Sequence, residues 1–488
     1  MRAIQFSTRL ILIMIVVSAV VTTRTAAAEE RPNILWIYIE DQNPWFSSYV
    51  EESLQTPNLD ALARAGVLFE RAYAPVPVCS PSRSALITGQ YPIRNGTHDQ
   101  RSSRASGYEI HLPDGLKTLP ELFQEAGYAT FNRGKDDYNF IYDRAKMYSH
   151  GGITADHGWK GPVGGGDWRD VPEGTPFFGQ YQWSGGKHAN GRNLAARLKD
   201  IGIRPIDPAS VTVPPQYPDI PEVRTAIADH MGTILMTDHE VGKLVARLKE
   251  DGHWKNTVIF LFSDHGSALP RGKEFCYDEG LHVPLLVVAP GIENIVRPGT
   301  RRRDLAATLD VSATSLALAG IEIPQSMDSQ NLFSPSYKRE YIFSSADRMS
   351  NTIDRIRSVM GERYHYIRNF MTDRPLMQWG HREMLLFPEF VKMRELYDRG
   401  ELTPAQAAPY ATRRAEELYD LQNDPNEVTN LANNPDFERQ LKKMQSALNG
   451  WIEDTDDKGQ YPRSEAALRE VLERYPADWL RGPEFQGR

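Results

Sequence analysis

Asn33-Ile34-Leu35-Trp36-Ile37-Tyr38-Ile39 is a near-continuous apolar run with β-branched and aromatic members, and it stops abruptly at Glu40-Asp41. A run of this kind reads as a strand buried on both faces. Thr257-Val258-Ile259-Phe260-Leu261-Phe262-Ser263 repeats the pattern and stops at Asp264-His265. Helical stretches lie between such runs. Thr56 to Gly66 carries an N-cap threonine, Pro57 at the first helical position and a closing glycine; Thr118 to Gly127 is built alike and precedes the strand-like Tyr128-Ala129-Thr130-Phe131. A long helix is predicted from about Glu222 to Glu250. Strands alternating with helices predict an α/β fold, a large mostly parallel sheet flanked by helices on both faces.

A chain of 488 residues, 40% of them hydrophobic, can bury a large core and suits one large domain plus a smaller one. We expect the large domain over 29–335. From about 336, short strand-like runs such as Glu340-Tyr341-Ile342-Phe343 and Tyr364 to Asn369 lie between polar loops, and a smaller antiparallel α+β domain is expected over 336–488. Arg2 and Arg9, the apolar run Leu10 to Val21, and Ala26-Ala27-Ala28 match a signal peptide over 1–28, so export to the periplasm or beyond is expected, with no membrane span after its removal. A retained anchor is the alternative, but the apolar run is short for a span of roughly 20 residues. A net charge of −8 leaves no basic footprint for nucleic acid. With only two cysteines, disulfides do not hold this exported fold together.

In parallel sheets, ligands bind at the carboxyl ends of strands. Glu40, Asp41, Asp264 and His265 all follow apolar strands directly. Converging there, they suit a hard divalent cation, calcium first and magnesium second. Each pair alone could equally be a turn or a helix cap.

Cys79-Ser80-Pro81-Ser82-Arg83 precedes the helix-like Ser82 to Thr88 and its closing Gly89, which aims the positive helix end at Cys79. Without further information Cys79 could be a small buried residue or half of a disulfide with Cys276. The pentapeptide C-x-P-x-R closely resembles the signature of the formylglycine-dependent sulfatases, a branch of the alkaline-phosphatase-like superfamily, and the resemblance runs from about residue 32 to about 435. It implies that a modifying enzyme oxidises Cys79 to formylglycine, whose hydrate attacks sulfur. It also implies that Glu40, Asp41, Asp264 and His265 bind calcium beside residue 79, with Arg83 holding the site together. Glu40 stands where Asp is commoner, and His265 offers nitrogen where oxygen is the better calcium donor.

The resemblance extends to Gly134-Lys135, whose lysine would contact sulfate. Asp137 stands where many relatives carry a histidine base, so it either substitutes as a carboxylate base or leaves that step to another group. His188, after the Pro176-to-Trp183 run, which resembles the family's Pro-Phe-Phe strand, is the candidate acid for the leaving oxygen, because its ordinary pKa of about 6.5 suits proton transfer near neutrality. Lys273 would bind a sulfate oxygen or assist the leaving group. His98 lies in a polar loop and reads either as a substrate contact or as a solvated histidine. Asp347-Arg348-Met349 and Arg355 resemble segments that line the pocket mouth in exported glycan sulfatases, and read equally well as surface ion pairs. Glu417-Leu418-Tyr419-Asp420-Leu421, with Asp424-Pro425, Glu427 and Asn430-Leu431, resembles a C-terminal structural marker of bacterial sulfatases.

The expected activity is hydrolysis of a sulfate ester, or an N-sulfate, on a sulfated carbohydrate, closest in look to the heparan sulfamidase-like and bacterial polysaccharide branches. Two other readings stand beside it. One is a phosphonate or phosphate monoester hydrolase of the same superfamily; the other is a non-catalytic glycan-binding protein whose Cys79 stays a thiol.

Overall fold

The Asn33–Ile39 strand lies at the centre of a nine-stranded sheet, with Ile39 in register with Trp183 on one side and Ser263 on the other. The computed structural model describes residues 31–50, 54–104, 107–156, 162–189, 193–380 and 385–487; the predicted signal peptide lies outside them. Across the sheet the order is Thr300–Arg302, Val67–Phe69, Leu285–Val288, Thr257–Ser263, Asn33–Ile39, Phe177–Trp183, Ala129–Lys135, Pro162–Gly165 and Ile153–Asp156. The four strands Thr257–Ser263, Asn33–Ile39, Phe177–Trp183 and Ala129–Lys135 run parallel, and antiparallel strands flank them. Their carboxyl ends therefore finish along one edge.

Both faces are covered, as the apolar pattern predicts. Ile34, Trp36 and Tyr38 pack with Leu86, Ile87, Leu119, Phe123, Val311 and Leu316. Those partners belong to the helices Cys79–Thr88, Leu119–Glu125 and Asp310–Leu318. Leu35, Ile37 and Ile39 point the other way, against Leu59, Leu62, Ile234, Val241, Leu244 and Leu248 of the helices Pro57–Ala65 and Pro221–Glu250. Successive strand side chains alternate between faces, so this one run supplies two cores. Trp36 also donates its indole N–H to Ser315 Oγ at 2.8 Å, which satisfies its polar atom inside the core.

The helix expected from Ser82 starts three residues earlier, at Cys79 itself, after Val78 in extended conformation. Pro81 permits this: in the first turn its missing N–H would have had no partner anyway, and its fixed φ is already helical. Gly89 closes the helix at φ +69°, where a Cβ would come within 2.7 Å of Met327.

The C-terminal region forms a four-stranded antiparallel sheet, ordered Ile342–Ala346, Ile356–Met360, Tyr364–Asn369, Glu416–Asp420. Its Val359 and Leu418, with Trp451 of the helix Glu438–Asp454, share one apolar core with Val76, Val78 and Cys79. The second sheet thus backs the cysteine segment. Asp347 and Arg348, read from sequence as pocket-mouth or surface residues, are both 1% exposed. Asp347 pairs with the buried Arg357, which also grips Asp457. Arg355 pairs with Asp457 from the other side.

Candidate active site

Strand register brings the two acidic pairs together. The Asp264 backbone N–H donates to Ile39 O at 3.2 Å, which seats Asp264 beside the end of the central strand. The Asp41 N–H donates to Asp264 Oδ1 at 3.2 Å, and Asp41 itself takes a left-handed φ of +56°. Asp41 Oδ1 lies 3.0 Å from His265 Nε2, and neither atom makes a hydrogen bond of regular geometry although both are fully buried. Carboxylate and ring-nitrogen atoms of Asp41, Asp264 and His265 fall within 4.8 Å of one another. Two acids and an imidazole, with Asp41 Oδ1 and His265 Nε2 buried and unsatisfied, form a donor set that fits a divalent cation.

Glu40 faces a different set of partners. Its Oε1 lies 2.5 Å from Lys135 Nζ and 3.0 Å from Arg83 Nη2, and its Oε2 pairs with Lys187 Nζ. Lys187 also reaches Asp41 Oδ1 at 3.7 Å, and Lys273 Nζ lies 2.8 Å from Asp41 Oδ2. Burial by itself would raise both carboxyl pKa values. Lys135, Lys187 and Arg83 around Glu40, and Lys187, Lys273 and His265 around Asp41, override it and hold both groups ionised, well below the ordinary carboxylate range. Burial lowers His265, yet Asp264 and Asp41 outweigh it and raise the imidazole to about 9.

Lys187 reaches the acids because Gly185 and Gly186 cross the strand end without side chains. A Cβ on Gly186 would sit 2.2 Å from Asp41 O, and one on Gly185 2.1 Å from Glu40 O.

Cys79 is fully buried at the first residue of its helix. Burial and, less strongly, Asp137 would push its thiol up, but Lys135 and Lys187, helped by Lys273, draw it down to about 6. Gln100 Nε2 lies 4.0 Å from Sγ. Both cysteines are free thiols, so the Cys79–Cys276 disulfide does not form. Arg83 is 1% exposed; it donates Nε to Asp264 Oδ2 at 3.0 Å and Nη1 to Gln182 Oε1 at 2.5 Å, with its guanidinium over the Tyr38 ring at 4.6 Å. It ties the cysteine helix to three strand ends.

Asp137 holds Lys135 Nζ at 2.8 Å and Arg104 Nη2 at 3.3 Å, with a left-handed φ of +60°. Burial raises its carboxyl, and Lys135, Arg104 and Arg101 more than reverse this, leaving it ionised far below the ordinary range.

Of the residues singled out from sequence, Glu40, Asp41, Cys79, Arg83, Lys135, Asp137, Asp264, His265 and Lys273 come together at one sheet edge. His98 does not join their ion-pair network: it is half-buried, with Nδ1 unpartnered. His188 belongs to the 3-10 turn Gly185–Ala189, and its side chain lies outside the described residues. Sequence reasoning passed over Lys187, Gln100, Arg101 and Arg104. The glycine pair before Lys187, after an apolar strand, was the available signal for the first; nothing local distinguishes the other three from loop residues.

Comparison with known proteins identifies the family of the chain. The sequence matches the sulfatase family over residues 32–184 and 170–321. It is 29% identical to an ulvan-active sulfatase of Formosa agariphila over 485 residues, covering 89% of this chain and 77% of that one. It is 26% identical to human N-sulphoglucosamine sulphohydrolase, covering 87% and 90% of the two chains. A solved structure in complex with its substrate, D-glucosamine-2-N,6-O-disulfate, has the same fold, with a TM-score of 0.62 at 18% identity over 88% of this chain and 98% of that one. With its family match spanning more than half of its length, this chain belongs to the sulfatase family and is a sulfuric ester hydrolase.

Proposed function

We propose that the protein is an exported sulfatase, periplasmic or extracellular, that removes sulfate esters, or an N-sulfate, from a sulfated glycan or oligosaccharide. The observation that carries this reading is the position of Cys79, at a helix start within the charge field of Lys135, Lys187 and Lys273 and beside the Asp41-Asp264-His265 cluster. The names of the relatives, an ulvan-active sulfatase and an N-sulphoglucosamine sulphohydrolase, support a sulfated carbohydrate as the substrate class.

In the proposed enzyme a formylglycine-generating enzyme converts Cys79, and the hydrated aldehyde supplies an oxygen nucleophile. Asp41, Asp264 and His265 would hold calcium, or magnesium in its place, which would supply positive charge against sulfate oxygens, while Glu40, expected from sequence as a fourth ligand, is engaged by Lys135, Arg83 and Lys187. The protein's own groups do the rest. Ammonium groups of Lys135, Lys187 and Lys273 stand where negative charge gathers on those oxygens, in a buried site where each interaction is worth more than in water. Arg83 fixes Glu40 and Asp264 in one geometry. Asp137, held ionised by its cationic neighbours, is a weak base and serves chiefly to aim Lys135. His188 is the proposed proton donor to the leaving oxygen.

The test is sulfate release from defined sulfated oligosaccharides, run beside phosphate and phosphonate monoesters, with mass analysis of the Cys79 peptide. Faster turnover of the phosphorus esters would select the phosphonate hydrolase reading. A retained thiol in material from the native host, with no turnover, would select the glycan-binding one.

A further inference from the structure

A cavity of about 370 Å³ lies beside the lysines of the site. Gly186, one residue before Lys187, lines it, and so do Ala268 and Leu269, from the loop that goes on to Lys273. The rest of its wall comes from the helix Pro221–Glu250 and from Phe387 and Pro388, where the helix Pro388–Asp398 begins. Glu222, Thr225, Ala226, Asp229 and His230 supply the first of these. That spacing puts all five on one helix face within about two turns. No lysine or arginine belongs to the described wall.

Polar groups on this face are short of partners. Asp229 is half-buried, and burial raises its carboxyl with no cation or hydrogen-bond donor among the described residues to counter it. His230 is 2% exposed and its Nε2 has no partner. Burial lowers its imidazole to about 4 against a weaker opposing pull from Asp41, so the ring adds no positive charge near neutrality. Glu222 keeps a buried Oε2 without a partner; its place in the first helical turn gives it the favourable end of the helix dipole, a support that Asp229, two turns on, lacks. Glu389, at the same wall, already has an interaction partner. A carboxylate drawn partly out of water costs free energy until a donor meets it.

The apolar part of the wall is Leu269, buried, and Phe387, half-buried, both continuous with the core around Val223 and Ile227. Apolar side chains beside carboxylate acceptors suit a pyranose ring. Its C–H face packs on the former, while its hydroxyl or amine hydrogens reach the latter.

We propose that this cavity receives the sugar from which sulfate is removed, with Asp229 and Glu222 accepting hydrogen bonds from its hydroxyl or ammonium groups and their charge turning away a sugar that bears a second anionic group there. The inference rests on the sulfated-glycan reading above and narrows it: beside the sulfate, the preferred sugar is uncharged or carries an amine. Like charges brought together in a site with little water repel strongly, so the wrong substrate is rejected without any added contact.

Steady-state kinetics of the full-length enzyme on three matched monosulfated disaccharides test this. On the sulfated sugar, one is otherwise neutral, one carries a free amine and one carries a carboxylate. The neutral or the amine-bearing substrate is expected to exceed the carboxylated one in kcat/KM by about tenfold or more. A higher value for the amine than for the neutral sugar names ammonium as the donor; equal values name hydroxyls. Asp229→Asn should close the gap to within about threefold by raising kcat/KM on the carboxylated substrate, a gain that misfolding cannot produce. Glu222→Gln should move the ratio the same way and decides the matter if the first variant does not fold. Equal kcat/KM for all three substrates in the parent, faster turnover of the carboxylated one, or a gap that survives both substitutions overturns the proposal. Failure of the sulfatase reading shows separately, as absence of sulfate release from all three.

Discussion

Arg83 Nε lies 3.0 Å from Asp264 Oδ2 while its Nη2 lies 3.0 Å from Glu40 Oε1, so one side chain of the cysteine helix spans both acidic strand ends. Neither carboxylate has solvent to replace it: Glu40 is 5% exposed and Asp264 fully buried. Glu40 keeps Lys135 and Lys187, but removing the guanidinium leaves the buried Asp264 without its arginine partner. Arg83→Met is expected to destabilise the fold by about 3–5 kcal/mol, read from chemical denaturation. A loss below about 1 kcal/mol would mean the neighbouring lysines take over its role.

Cys79→Ala should abolish sulfate release and leave the fold intact, because the side chain is small and the apolar core behind it is shared by many other residues. Turnover assays and circular dichroism check the two halves. Activity near that of the parent would refute the role assigned to residue 79.

Metal content and activity should fall together in Asp264→Ala, and chelation of the parent enzyme should reproduce the loss. Asp264 contributes to the donor cluster while its Oδ1 also receives the N–H groups of Asp41 and His265, so its removal disturbs all three donors. Elemental analysis of the purified protein is the direct readout. Full metal occupancy in the variant would place the cation elsewhere.

Gly186→Ala should lower kcat by about 100-fold or more, the usual cost of displacing one electrostatic contact to a reacting oxygen. The added Cβ would collide with Asp41 O and push Lys187 off the acids it bridges. Steady-state kinetics test this; unchanged kcat would show that Lys187 stands outside the chemistry.

Acid sensitivity should appear at Asp457. Burial raises its carboxyl, but Arg357 and Arg355 prevail and lower it to about 2. A carboxyl whose folded-state pKa lies below its unfolded value stabilises the fold fully above the unfolded value, near 4, and that contribution disappears as pH falls toward 2. Melting temperatures should therefore decline over that window, and Asp457→Asn should lower stability at neutral pH and flatten the decline. An identical pH profile in the variant would assign the acid sensitivity to other carboxyls.

The apolar runs ending at Glu40-Asp41 and Asp264-His265 announced both the parallel sheet and its acidic edge, because double-sided burial and the location of ligands at strand ends are consequences of local pattern. The helix starting at Cys79 rather than Ser82 was harder to read, since Pro81 looks like a break until its place in the first turn is known. Sequence alone determined the α/β class, the family signature around Cys79 and most of the residues that meet there, because each is marked by its immediate neighbours. Only the tertiary structure decided that Lys187 bridges Glu40 and Asp41, that Arg104 reaches Asp137, and that Glu470 and Arg474 hold the 101–104 backbone. Those partners lie up to several hundred residues apart, and a charge's partner in a buried site is chosen by where strands and helices pack, which no short stretch of sequence encodes.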